Sequence, residues 1–148
     1  MAQFPAVDLL IDIARRKCDE ASAELAGALS RCRAAEQKLD LLNRYRCEYL
    51  SRRNPTDLTC AGLLCNFSEF MGKLDNAISS QAGALDEARQ VAARQRQHWE
   101  SAQRQVKAME LLRERRNSAE RILANRNQQK LHDELAGRMS AHPMALAG

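Results

Sequence analysis

Read from Val7 in alternating steps of four and three residues, the chain aligns Val7, Ile11, Ala14, Cys18, Ala21, Leu25, Ala28, Cys32, Ala35, Leu39 and Leu42 in one series, which Arg46 and Tyr49 extend. Arg46 alone breaks its apolar character. A 3.5-residue period held over six heptads marks a coiled-coil seam, with Ile11, Cys18, Leu25, Cys32 and Leu39 at a, and the alanines, Leu42 and Tyr49 at d. The helix cannot pass through Ser51–Asp57, because Pro55 lacks a backbone donor and forces Asn54 out of the α region. A second seam then runs through Phe67, Met71, Leu74, Ile78, Gln81, Leu85, Ala88, Ala92, Gln95, Trp99, Ala102, Val106 and Met109.

Two seams of matching length joined by roughly ten residues predict an antiparallel hairpin, since a parallel pair would need a connection as long as a helix. Pairing Tyr49 with Phe67 brings Val7 to Met109, sets bulky Trp99 against Ala14 and Ala21, and gives a rod of about 65 Å. The expected architecture is all-α: a single coiled-coil domain with helix 1 over about 5–52, a turn over about 53–62 and helix 2 over about 63–137. Residues after Met109 have no expected partner in helix 1 and form a C-terminal helical overhang. Gly137 and Pro143 are expected to close it, leaving residues 138–148 as a frayed tail.

Composition agrees with long helices. Aromatic residues make up only 4% of the 148 residues, and six Gly and three Pro leave little material for hairpin turns, which excludes a β-rich fold. Charge is unevenly placed: residues 1–93 carry 12 basic and 13 acidic side chains, residues 94–148 carry 11 and 6. Neither a membrane span nor a signal peptide is expected, so the chain reads as cytoplasmic.

Catalytic chemistry finds no foothold. The five cysteines contain no Cys-x-x-Cys pair, the three histidines have no second ligand at helical spacing, and there is no phosphate loop or nucleophile elbow. No catalytic residue, metal or cofactor is expected.

Two surfaces remain as candidates. In an antiparallel pair the g positions of the two helices share one flank, which near the turn holds Lys38, Tyr45, Phe70 and Ala77, bordered by Leu42, Tyr49, Leu74 and Gln81. Two Tyr and a Phe concentrated there, in a chain with six aromatics, suggest a docking patch; the plainer reading is that they cap the hairpin. The opposite e flank, with Glu36, Asn43, Leu50, Ser68, Asp75 and Ala82, is mostly polar. The overhang carries Arg113, Arg115, Arg116, Arg121, Arg126, Lys130 and Arg138 beside Ile122, Leu123, Leu131 and Leu135. Interspersed acids and the lack of any aromatic after Trp99 argue against nucleic acid, and the stranded apolar residues favour a protein partner over a merely solvated face.

In order along the chain stand Ala35-Glu36-Gln37, Leu42, Tyr45 and Glu48-Tyr49, then Asn66-Phe67-x-x-Phe70, Leu74, Ala77-Ile78 and Gln81, then Trp99. The run ends in Arg126-Asn127-Gln128-Gln129-Lys130 with Asp133-Glu134, Ala136 and Arg138. Over about residues 6–138 this order resembles the flagellar export protein FliJ family. The resemblance implies a non-enzymatic, stalk-like coiled coil of the bacterial flagellar type III export apparatus, peripheral to the inner membrane at the flagellar base. It implies insertion into the hexameric export ATPase, with the overhang from Arg113 to Arg138 as the inserting segment. It further implies contact with the export gate protein FlhA through Leu42, Tyr45, Tyr49, Phe70, Leu74, Ala77 and Gln81, with export chaperones as a third class of partner. A monomer is expected in isolation. The alternatives are the equivalent stalk of a virulence secretion system, a dimeric coiled-coil scaffold and a nucleic-acid-binding helical protein.

Overall fold

A computed structural model describes residues 5–52 and 61–146. They form two helices, α1 over Pro5–Ser51 (47 residues) and α2 over Ala61–Leu146 (86 residues). Pro5 opens α1 where a missing N–H costs nothing, and Asp8 in the first turn opposes the positive end of the helix dipole. At the other end the Ser51 hydroxyl and the Arg52 N–H both donate to the Glu48 carbonyl at 2.9 Å. Of the turn expected over about 53–62, residues 53–60 lie outside the described residues, while Ala61 and Gly62 already belong to α2.

The contacts group the helices into two compact units: Lys17–Ala102, and α1 up to Arg16 with α2 from Gln103 onward. Each contains an antiparallel stretch of both helices. In Lys17–Ala102, Ala28, Cys32 and Ala92 form a buried cluster against which Leu29, Ala88 and Val91 pack. Leu74 and Leu85 are also buried, and a leucine removed from water contributes about 1.5–3 kcal/mol, far more than each alanine beside it. Register follows the pairing expected from the seams. Tyr49 stacks on Phe67, and the Gln81 amide donates to the Ala35 carbonyl at 3.1 Å, so two heptads back along α1 match two heptads forward along α2.

The second unit repeats the logic with larger side chains. Val7, Ile11 and Ala14 are buried, Ile11 to 1% exposure, while Val106 and Met109 on α2 are half-buried. Here the expectation that nothing beyond Met109 pairs with helix 1 is corrected: Arg15 bonds Glu110 at 2.9 Å and Arg113 bonds Asp8 at 3.4 Å. Arg113 occupies the a position one heptad after Val106, and its long side chain reaches the first turn of α1.

The expected end of helix 2 is corrected as well. α2 runs past Gly137 and Pro143 to Leu146. Glycine stops a helix when it turns into the left-handed conformation, but none of the described glycines has positive φ. Gly137 therefore costs only about 1 kcal/mol of helix propensity, and its carbonyl also accepts from Ser140 at 3.0 Å. Pro143 stands in the last turn, where its missing N–H forfeits one helical bond without breaking a longer run.

Candidate functional site

The aromatic surface is built in Lys17–Ala102 from the end of α1 and the start of α2. Tyr49 is its centre. Its ring lies 4.3 Å from that of Phe70 at an interplanar angle of 28°, and 6.3 Å from Phe67 at 30°. Stacked pairs of this kind contribute about 0.5–1.5 kcal/mol beyond their burial. Tyr45, Tyr49 and Phe70 nevertheless stay 40–49% exposed, which is costly to a surface facing only water.

The seven residues expected on this surface separate by depth. Tyr45, Tyr49, Phe70 and Ala77 are exposed, Leu42 and Gln81 half-buried, and Leu74 buried in the seam. Gln81 is committed across the helix pair by its bond to Ala35, and Leu74 is buried between the helices. Phe67 belongs to the same cluster although its seam position marked it as core; the expected meeting of Tyr49 with Phe67 was the signal that could have added it. Leu41, Leu50 and Leu64 are also exposed, Leu50 on the opposite e flank.

The two flanks of the heptads differ in kind. In Lys17–Ala102, Arg89 bonds Glu36 at 3.2 Å, and Arg46, the charged residue within the first seam, turns outward to Asp75 at 2.8 Å. In the other unit Arg15 meets Glu110 and Arg113 meets Asp8. Each of these pairs draws on an e position, the flank read as polar from the sequence. The hydrogen bond from Arg15 to Glu110, with the attraction of Glu110 and Asp12, raises the Arg15 guanidinium above its ordinary value. All the pairs are about half-exposed, so solvent screens them and they serve mainly to fix register.

The basic surface lies on α2 in the other unit. Arg115, Arg116, Arg121, Arg126, Lys130 and Arg138 are exposed, whereas Arg113 is half-buried against Asp8. Every side chain from 121 to 141 is exposed, including Ile122, Leu123, Leu131, Leu135 and Met139. Arg121 donates to the Ser118 hydroxyl at 3.5 Å. Ile122, Leu123, Leu131 and Leu135 are thus each more than half in water.

Among the described residues Cys18, Cys32, Cys47 and Cys65 are free thiols, and no group of three His, Cys, Asp or Glu could hold a metal ion. No helix among them is long and apolar enough to cross a membrane.

Similarity to known proteins bears on the whole chain. A flagellar FliJ protein of Salmonella typhi is 32% identical over 142 residues, spanning 93% of this chain and 95% of its own length. A flagellar FliJ protein of Escherichia coli K12 is 31% identical over 143 residues with the same shares of both chains. Residues 3–145 match the family described as the flagellar FliJ protein. With all of α1 and all but the last residue of α2 inside that match, and with each relative covered over 95% of its length, the chain belongs to the flagellar FliJ protein family.

Proposed function

We propose that this protein is a non-enzymatic component of the flagellar type III export apparatus, a stalk-like helical hairpin that stimulates a hexameric export ATPase and couples it to the export gate. The observation that carries the reading is the unequal length of the helices. α2 has 86 residues against 47 in α1, and its surplus is an exposed helix bearing Arg115, Arg116, Arg121, Arg126, Lys130 and Arg138. A helix that must sit inside a ring and tolerate relative movement is suited by many dispersed charges and few bulky anchors. Membership of a flagellar family supports the setting.

The aromatic surface is the proposed gate contact. Tyr45, Tyr49, Phe70 and Ala77 are its exposed members, while Leu42 and Gln81 are half-buried and Leu74 is buried. Arg113 contributes to the ATPase surface only at its edge, because Asp8 already engages it. The deciding experiment measures ATP hydrolysis by the cognate export ATPase with and without the full chain. Stimulation is expected, and an unchanged rate across a titration would defeat the stalk reading.

A further inference from the structure

Within the unit formed by α1 up to Arg16 and α2 from Gln103, the two sides of the helix pair have opposite chemistry. Acids gather on the e side. Asp8 and Asp12 lie there on α1, and Glu110 and Glu114 on α2, where Asp8 and Glu110 are engaged by Arg113 and Arg15. On α1 the other side presents Leu9, Leu10 and Ile13, exposed to 60, 50 and 40%.

α2 continues that side as a sharply segregated face. At 3.6 residues per turn, Leu111, Leu112, Ile122 and Leu123 fall within an arc of about 120° together with Arg104, Arg115, Arg126 and Lys130. No acidic residue between 104 and 130 enters this arc; Glu110, Glu114 and Glu120 all lie outside it. The face ends where Asp133 falls on it. Both components repeat every eleven residues, as Arg104, Arg115 and Arg126, and as Leu111-Leu112 followed by Ile122-Leu123. An eleven-residue repeat is three turns, so a straight helix keeps them aligned for about 39 Å. All four aliphatic residues are close to half exposed or more.

We propose that this side of the unit docks on an anionic lipid surface. A phospholipid headgroup layer is negatively charged everywhere and apolar just beneath, so it satisfies each repeat equally. Leucine and isoleucine enter the acyl boundary while arginine stems lie along it and keep their guanidinium groups at the phosphates. A protein partner would more often be met by a central cluster with aromatic anchors, and the sequence has no aromatic residue after Trp99. The absence of a spanning helix among the described residues makes the contact one of lying on the surface rather than crossing it. Arg115, Arg126 and Lys130 also belong to the proposed ATPase surface, so lipid and ring would compete for this helix.

The test is co-sedimentation of the full chain with vesicles of phosphatidylglycerol and phosphatidylcholine, against vesicles of phosphatidylcholine alone. Binding to the anionic vesicles only, decreasing with salt, is expected. Arg115→Glu with Arg126→Glu should weaken it by about tenfold or more, given the contribution of each basic residue near a charged bilayer. Lys107→Glu with Arg121→Glu makes the same charge change outside the arc and should leave affinity within about twofold. Leu112→Gln with Leu123→Gln should remove the binding that survives physiological salt. These positions are exposed, and circular dichroism should report unchanged helicity in all three variants. Absence of binding to anionic vesicles at low salt would overturn the proposal. Equal loss from the two charge-reversal pairs would do so too, since it would mean diffuse attraction without a defined face. Retention by polyglutamate with the vesicles left free would assign the face to an acidic protein instead.

Discussion

The aromatic surface and the C-terminal part of α2 both expose large apolar side chains, yet they differ in what stands behind them. Tyr49 and Phe70, from the two helices, stack on one another, with Leu74 buried nearby in sequence and Gln81 bonded to the facing helix. Ile122, Leu123, Leu131 and Leu135 project from a helix whose side chains are exposed all round from residue 121 to 141. A surface backed by a second helix is pre-organised, so a partner need not order its rotamers on binding. A single helix face instead relies on repetition, with many weak contacts that can form in part and shift.

The largest effect that would break this comparison is deletion. Ending the chain after Asn117 keeps the pairs Arg15–Glu110 and Asp8–Arg113, so the melting midpoint of the hairpin should move by no more than about 5 °C. Stimulation of the export ATPase should be lost. Full stimulation by the shortened chain would move the ATPase contact to the paired helices.

Single substitutions sharpen the contrast in stability. Leu85→Ala, in the seam at 5% exposure, should cost about 2–4 kcal/mol in denaturant unfolding, while Leu131→Ala, at 59%, should stay within about 0.5 kcal/mol. Comparable losses at both sites would show that the terminal stretch of α2 has a packed partner. For the aromatic surface, Tyr45→Ala with Phe70→Ala should weaken binding to the gate protein by about 1–4 kcal/mol per residue in titration calorimetry, leaving ATPase stimulation in place. A collapse in melting without a specific binding defect would make the rings a cap on the helix pair.

The smallest expected effect belongs to the ion pairs. Arg46→Gln removes the bond to Asp75, a half-exposed pair worth less than about 1 kcal/mol, and the difference from wild type should vanish in 1 M salt. A larger, salt-independent loss would mean that Arg46 packs within the seam rather than leaning out of it.

Most of the helix pairing was legible from residue order. From Val7 to Leu42 every seam position on α1 is buried or half-buried, and on α2 the same holds from Phe67 to Met109. The reading was less complete where a residue has to choose between neighbours. Tyr45 and Leu74 were assigned to one surface, but one is exposed and the other buried, because depth depends on the closeness of the opposing helix. The g flank near the turn is recognisable from its aromatic residues, and Phe67, half-buried at its seam position, also stacks on Tyr49.

Periodicity, proline placement and the shortage of glycine determined two long helices and the faces they share, because these are consequences of backbone geometry that each residue carries locally. The sequence also determined the segregation of charge on α2, since a helix converts spacing directly into angle. Tertiary structure decided what local rules leave open. It turned Arg46 outward to Asp75, drew Arg113 to Asp8, committed Gln81 to the Ala35 carbonyl and stacked Tyr49 on Phe70. Those choices depend on the reach of one side chain toward another helix. Gly137 shows the same limit within one helix: it permits a stop but does not impose one, and without a left-handed turn to compete the helix continues.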